Sequence, residues 1–254
     1  MTLQPSKITI HTVGDSQVAV HSFGALDAPY ALISVHANET TAIEAAKLLI
    51  RRGRPLVLHT LVHKTSRRVS VRFGTKTITV DPNRIFTHQG IAVELDIRRF
   101  PSRSAWVPPI TQLAAELVAR FEIPSRPVAI SIHNNTQKGS LTVHHYAKGK
   151  PQQKEASDVF AAAENDPDDF YYVTTPALFQ QFKTMGYNVV LQHGQATDDG
   201  SLSYYCAAQN IPYVNVEVEA AGASMRTNQK QTQMLMILDA VFVWNKLSGQ
   251  PQNV

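Results

Sequence analysis

The chain has 254 residues, of which 43% are hydrophobic and 17% charged, a composition that indicates an ordinary folded protein and argues against intrinsic disorder. The formal charge of +4 is too small to indicate a nucleic-acid partner by itself. The single cysteine, Cys206, excludes an internal disulfide framework, and no apolar run is long enough to span a bilayer.

In chain order, short runs rich in β-branched residues alternate with apolar residues at helical spacing. The runs predict strands over residues 7–11, 17–23, 30–35, 55–62, 126–132, 187–192 and 212–219. The helical spacing predicts helices over residues 39–52, 110–121, 175–185 and 228–244. This alternation predicts an α/β three-layer sandwich, with a mostly parallel or mixed central sheet and helices on both faces. We expect one domain over residues 1–254, with the polar stretch 134–170 as a long loop or an insertion.

Polar residues suited to metal or proton chemistry lie at the ends of three predicted strands. His36 follows YALISV with Glu39 three positions later, His133 follows RPVAISI, and Glu217 lies in PYVNVEVE. Ligands of open α/β sheets lie outside the carboxyl ends of strands, so these side chains could face one crevice. Catalytic zinc takes three ligands from His, Glu or Asp, which predicts a site at His36, Glu39 and His133. Glu217, on a separate strand, is a candidate general base.

The motif DPNRIF, at residues 81–86, lies between these candidate ligands along the chain. Its Asn83 offers an amide and its Arg84 a guanidinium. Because a guanidinium can bind a carboxylate through two parallel hydrogen bonds, this motif is a candidate binding site for a substrate carboxylate.

Four motifs together resemble the zinc carboxypeptidase superfamily, and most closely its aspartoacylase and succinylglutamate desuccinylase branch. They are HANE at 36–39, DPNRIF at 81–86, IHNNT at 132–136 and VEVE at 216–219. The corresponding signatures of that branch are HGNE, DLNR, a late histidine after an apolar strand, and a glutamate in VEVG or a similar motif. All four occur here in the family's order.

The resemblance implies a role for each candidate residue. One Zn2+ per chain would be held by the two histidines and the glutamate named above. Asn83 and Arg84 would bind a carboxylate of the substrate. Glu217 would act as general base toward the attacking water and then as general acid toward the leaving nitrogen.

Three departures from the family pattern concern the same motifs. Pro82 replaces the Leu of DLNR, which fixes the local backbone but leaves the two following side chains in place. Glu219 replaces the Gly after VEV and shares a strand face with Glu217, so either could be the base, and the neighbours of Glu217 match better. Aspartoacylase-like enzymes use an arginine eight positions before the DLNR arginine to polarise the scissile carbonyl. That position is Lys76 here, with Arg72 as the alternative.

We therefore predict a zinc-dependent hydrolase that cleaves an amide bond next to a carboxylate, in an N-acyl amino acid or at a peptide C-terminus. A non-catalytic module that binds zinc or a carboxylate is the alternative, since Lys76 and Glu219 depart from the pattern. A domain that binds nucleic acid or another anion through the basic stretch 51–72 is a third possibility.

We expect neither a nucleic-acid nor a membrane partner. The N-terminal sequence MTLQPSKITI lacks the apolar core of a signal peptide. A cytoplasmic location is therefore expected for the chain as it stands, and a secreted or periplasmic one if a signal peptide has been removed.

Overall fold

The computed structural model describes residues 3–63, 67–136, 141–220 and 226–250. The strands in these residues are β1 (Lys7–Val13), β2 (Ser16–Phe23), β3 (Tyr30–Ser34), β4 (Leu56–Val62), β5 (Val69–Phe73), β6 (Lys76–Val80), β7 (Ala129–Thr136), β8 (Ala156–Phe160), β9 (Phe170–Val173), β10 (Val189–Gln192) and β11 (Tyr213–Ala220). The α-helices are α1 (Thr40–Arg51), α2 (His88–Glu94), α3 (Val107–Arg120), α4 (Pro176–Thr184), α5 (Leu202–Ala208) and α6 (Arg226–Ser248). Short 3-10 turns lie at Pro82–Arg84, Pro101–Trp106, Ile123–Ser125, Val143–Tyr146 and Gln153–Glu155.

Nine of these strands form one mixed sheet in the order β1-β2-β4-β3-β7-β11-β9-β10-β8. The four central strands, β4, β3, β7 and β11, are parallel to one another. The sheet is antiparallel where β2 meets β4, where β11 meets β9, and at both edges. The carboxyl ends of the central strands therefore meet at one edge of the sheet, which is where α/β proteins place their ligands.

Helices cover both faces of this sheet, because neighbouring residues of a strand enter different hydrophobic cores. Leu32 and Ile130 pack in a core with α1, α4 and α6, whereas Ile33 and Ala129 pack in a core with α2, α3 and α5. Successive side chains of a strand point to opposite faces, so these two cores lie on opposite sides of the sheet. The prediction of an α/β three-layer sandwich with a mixed sheet is confirmed.

The structure also contains elements that the sequence patterns do not predict. Helices α2 and α5 have seven residues each, which is too short to show a helical periodicity. Strands β5 and β6 form a separate two-stranded sheet. In the polar stretch 134–170, β8 pairs with β10 at one edge of the large sheet. Whether this stretch is an insertion, and whether residues 1–254 form one domain, stay predictions.

No helix in the described part of the chain has the length and apolar character that crossing a bilayer requires.

Candidate metal centre

His36, Glu39 and His133 come together where the central strands end. His36 lies two residues after β3, Glu39 immediately precedes α1, and His133 lies in β7, the parallel neighbour of β3. All three are buried, with at most 4% of any residue exposed. The chain can turn here because the N–H of Glu39 donates to the carbonyl of His36 at 3.2 Å.

The donor atoms of this group converge. His36 Nδ1 lies 2.8 Å from Glu39 Oε1, and His133 Nδ1 lies 2.9 Å from Glu39 Oε2. One ligand atom from each residue lies within 4.8 Å of the others, and no second group in the described part of the chain meets this criterion. His133 Nε2 is also buried and has no hydrogen-bond partner among the described residues. Two imidazoles and a carboxylate are the donor set of many catalytic zinc sites, so the residues present fit a metal ion.

A carboxylate outside this group orients His36. Asp81, the first residue of the DPNRIF motif, places Oδ1 2.8 Å from His36 Nε2. Metal-binding histidines commonly donate their other ring N–H to a carboxylate, which fixes the tautomer and the orientation of the ring. Asp81 has no role predicted from the sequence, although its place at the start of a candidate motif was a signal.

The charges in this group favour ionised carboxylates. Burial alone would raise the pKa of Glu39, but His133 and His36 outweigh it and lower this pKa to about 2. Burial would likewise raise the pKa of Asp81, and the bond to His36 together with the charge of Arg67 lowers it instead. Burial alone would lower the pKa of His36, but its hydrogen bonds to Asp81 and Glu39 raise it. A carboxylate must be ionised to ligate a metal, so Glu39 is in the required form.

Glu217 lies beside the candidate metal-binding group, which consists of His36, Glu39 and His133. In the parallel pair of β7 and β11 it is the register partner of His133, and Asn215 Nδ2 donates to its Oε1 at 3.0 Å. Burial raises the pKa of Glu217, the charge of His133 opposes this effect, and the charge of Glu39 adds to it. Glu219, two residues further on, instead accepts a hydrogen bond from Gln229 Nε2 at 3.1 Å.

Glu39, His133 and Glu217 line a cavity of about 540 Å³, a size that is usual for small-molecule sites. Asn83 and Arg84 line it as well, so the structure brings both predicted carboxylate-binding residues to the metal-binding group. Glu219 is not among the described residues that line this cavity.

The structure does not bring Lys76 and Arg72 to this cavity. Both are exposed residues of the small sheet, where Lys76 pairs with Phe73 and Arg72 with Thr77, and neither is among the described lining residues. The prediction placed this residue by its sequence distance from Arg84 alone. Between Arg72 and Arg84 the chain forms the β5–β6 hairpin, in which the side chains of Lys76 and Arg72 are exposed to solvent.

Arg67 is the basic residue that reaches the metal-binding group. Its Nε donates to Asp81 Oδ2 at 3.0 Å, and its Nη1 lies 3.4 Å from Glu39 Oε1. Arg67 also lines the cavity. Arg67 was not predicted as a site residue, and its only signal in the sequence was its place in the basic stretch before β5.

Further polar residues of the cavity went unassigned in the sequence analysis. They include Tyr146, Glu155, Tyr172 and Asp199. Burial raises the pKa of Tyr146, and the charges of Glu217 and Asp199 raise it further. The hydroxyl of Tyr146 therefore stays protonated at neutral pH and can donate a hydrogen bond.

No protein-family model matches the chain, and no curated protein matches its sequence. Solved structures do. A succinylglutamate desuccinylase/aspartoacylase from Rhodobacter sphaeroides matches with a TM-score of 0.45 and 12% identity, over 92% of this chain and 59% of that one. The ectoine utilization protein EutE (DoeB) from Ruegeria pomeroyi matches with a TM-score of 0.43 and 14% identity, over 94% of this chain and 71% of that one.

Murein-tripeptide amidase MpaA from Escherichia coli O157 matches with a TM-score of 0.41 and 10% identity, over the whole of both chains. The match to the Rhodobacter protein, by contrast, covers 59% of that protein, so this chain spans less than two thirds of its length. The name of the Rhodobacter protein is that of the branch named in the sequence analysis.

Proposed function

We propose that the chain is a zinc-dependent hydrolase that cleaves an amide bond in a substrate with a free carboxylate. The main support is that one cavity brings together the groups such a hydrolase needs. Glu39 and His133, from the buried candidate metal-binding group, line this cavity. Glu217 and Arg84 line it as well. A hydrolase of this kind needs a metal site, a base and a group that holds the substrate, and these residues can supply all three.

His36, Glu39 and His133 would hold the metal. When bound there, zinc would act as a Lewis acid toward the scissile carbonyl and would acidify the attacking water. The bond between His36 and Asp81 would keep the imidazole in the tautomer and orientation that ligation requires.

Glu217 would move the protons of the reaction. It would accept a proton from the attacking water and then donate it to the leaving nitrogen. Its raised pKa supports this role, because a carboxylate with a pKa closer to neutrality is a stronger base. The hydrogen bond from Asn215 Nδ2 would hold the carboxylate in place on β11.

Arg84 would bind the carboxylate of the substrate, together with Asn83. Holding the substrate at a fixed distance from the metal-binding group makes the attack effectively intramolecular. Arg67, rather than the predicted Lys76 or Arg72, would share the negative charge that develops on the carbonyl oxygen. The position of Arg67 beside Glu39 and Asp81 supports this assignment.

Metal content tests the proposal most directly. We expect about one zinc per chain in the purified, zinc-supplied protein and a loss of most of it in His133→Ala. His144→Ala, which replaces an exposed histidine outside this group, is the control and should keep the metal. Hydrolysis of N-acyl amino acids and of short peptides is then measured on the loaded wild type. A protein that binds no zinc, or binds it equally well in His133→Ala, would contradict the proposal.

A further inference from the structure

A second cavity, of about 350 Å³, lies between β6, the end of α2 and the 3-10 turn Pro101–Trp106. A volume of this size is usual for a small-molecule site. None of its described lining residues lines the larger cavity at the candidate metal-binding group. Its polar lining residues are Arg68, Thr77, Thr79, Glu94 and Arg103. This cavity therefore brings together two guanidinium groups, two hydroxyl groups and one carboxylate.

The first guanidinium, that of Arg68, is held by the strand beside it. Its Nε donates to Thr79 Oγ1 at 3.2 Å, and its Nη2 donates to the carbonyl of Thr79 at 2.9 Å. The same Nη2 also bonds to Glu94 Oε1, which accepts the N–H of Asp81 at 2.8 Å. Because Thr79 Oγ1 accepts from Arg68, the proton of this hydroxyl can be donated to a ligand.

The second guanidinium, that of Arg103, is oriented by its own segment. Its Nη1 donates to the carbonyl of Leu95 at 3.1 Å, and its Cζ lies 4.1 Å from the centre of the Phe100 ring. The carboxylate of Glu94 is paired with Arg68, and no carboxylate among the described residues lies within ion-pair distance of Arg103. Two positive charges thus face one negative charge in this cavity, and the excess of positive charge attracts an anion.

We propose that this second cavity binds a phosphate, either as the free ion or as the phosphoryl group of a small monoester. A tetrahedral oxyanion can present two oxygens to a planar guanidinium, which is the geometry in which arginine binds phosphate. Thr77 and Thr79 are alternate residues of β6, so both hydroxyl groups lie on one face of the strand and add neutral donors. No residue of this cavity takes part in the proposed hydrolysis, so the two proposals are tested separately.

Phosphate binding to the isotope-labelled, zinc-supplied full chain tests this proposal. A two-dimensional NMR titration with inorganic phosphate gives the Kd and shows which backbone amides shift. We expect a Kd on the order of 1 mM, because ion pairs of partly exposed groups are weak. The amides of β6 and of residues 94–103 should shift. A second titration, with glycerol 3-phosphate, distinguishes the two sources, because tighter binding than that of the free ion indicates a monoester and equal binding indicates the ion.

Two variants with opposite expected effects test the role of the charged groups. Arg103→Gln should weaken phosphate binding by about tenfold, as the loss of one charge-assisted hydrogen bond would. Arg99→Gln is the matched control, because Arg99 also lies over the Phe100 ring, at 5.2 Å, but is not among the described lining residues. Glu94→Gln should tighten binding by about threefold, because it removes a negative charge that repels the anion. Its amide oxygen can still accept the N–H of Asp81.

An unfolded variant cannot bind more tightly, so Glu94→Gln tests the site even if Arg103→Gln fails to fold. Three results would overturn the proposal. The first is no saturable binding of either compound to the wild type. The second is an affinity that changes neither in Arg103→Gln nor in Glu94→Gln. The third is a shift of the amides around His133 and Glu217 instead of those of β6, with binding lost in Arg84→Gln, which would place the phosphate in the larger cavity.

Discussion

His36 and Asp81 are 45 positions apart in the sequence, and a hydrogen bond of 2.8 Å joins His36 Nε2 to Asp81 Oδ1. This bond connects His36, two residues after β3, to the first residue of the DPNRIF motif. It therefore couples the metal-binding group to the turn that presents Asn83 and Arg84 to the cavity. One carboxylate orients His36, a candidate metal ligand, and, through its second oxygen, binds Arg67.

We expect Asp81→Asn to weaken zinc binding by about 10- to 100-fold, the usual effect of removing such an orienting carboxylate. The amide keeps the shape of the side chain but accepts the imidazole N–H less strongly. Competition with a chelator measures the zinc Kd, and Asp158→Asn, an exposed residue of β8, is the control. An unchanged Kd in Asp81→Asn would show that His36 does not depend on this bond.

Glu217→Gln and Glu219→Gln separate the two candidate bases. We expect Glu217→Gln to keep zinc and to lower kcat by about 10²- to 10⁴-fold, because an amide cannot take the proton of water. Glu219→Gln should change kcat by less than about tenfold, since Gln229 rather than the cavity holds this side chain. Both variants are isosteric changes on one face of β11. Loss of activity in Glu219→Gln alone would reverse the assignment.

The sequence predicts the parts of the site that lie at strand ends. His36 and His133 could be found because apolar runs mark β3 and β7, and the carboxyl ends of parallel strands meet at one edge. Arg67 and Asp199 could not be found in this way. They lie in irregular segments, and only tertiary packing decides what such a segment contacts.

The position of Lys76 and Arg72 outside the described lining of the cavity has the same cause. The distance in sequence from Arg84 does not show which side chains of the β5–β6 hairpin face the cavity and which, like Lys76 and Arg72, are exposed. Short elements such as α2 and α5 were missed because a helix of two turns shows no clear period.

Arg67→Ala and Lys76→Ala test which cation assists the reaction. We expect Arg67→Ala to lower kcat by about 10²-fold, the effect of removing one group that stabilises the developing oxyanion. Lys76→Ala should leave kcat and KM unchanged, because its side chain is exposed and not among the described lining of the cavity. Steady-state kinetics on zinc-saturated proteins separate this effect from loss of metal. A kcat that falls only in Lys76→Ala would restore the sequence-based prediction.

Gly200 lets the start of α5 pack against the turn that carries Arg84. Its φ is +75°, and a Cβ atom there would lie 2.3 Å from the carbonyl oxygen of Arg84. Gly186 has a similar φ of +81° but would place no Cβ atom within 4 Å of a neighbour. Each alanine costs about 1–2 kcal/mol for its backbone conformation. We expect Gly200→Ala to lose about 1–3 kcal/mol more, from overpacking.

Urea denaturation measures both of these variants. Because the clash would displace Arg84, KM for a carboxylate substrate should also rise in Gly200→Ala and not in Gly186→Ala. Equal losses of stability in the two variants and an unchanged KM would show that a Cβ atom at Gly200 neither destabilises the fold by overpacking nor displaces Arg84.

Asp169 should make the stability of the fold depend on pH. Burial raises its pKa to about 7, and the charges of Asp166, Glu219 and Asp168 add to this effect, while the N–H of Glu219 opposes it. The unfolded chain has an aspartate pKa of about 3.9. Between about pH 4 and pH 7 the folded protein thus keeps a proton that the unfolded chain has lost, so this group makes stability fall as pH rises.

Asp169→Asn removes this dependence, and its amide oxygen can still accept the N–H of Glu219. We expect the free energy of unfolding of the variant, relative to the wild type, to increase by an amount on the order of 4 kcal/mol from pH 4 to pH 8. Urea denaturation at several pH values measures the difference, and Asp158→Asn gives the baseline for an exposed carboxylate. A constant difference between Asp169→Asn and the wild type across this range would mean that Asp169 has the same pKa in the folded and unfolded chains.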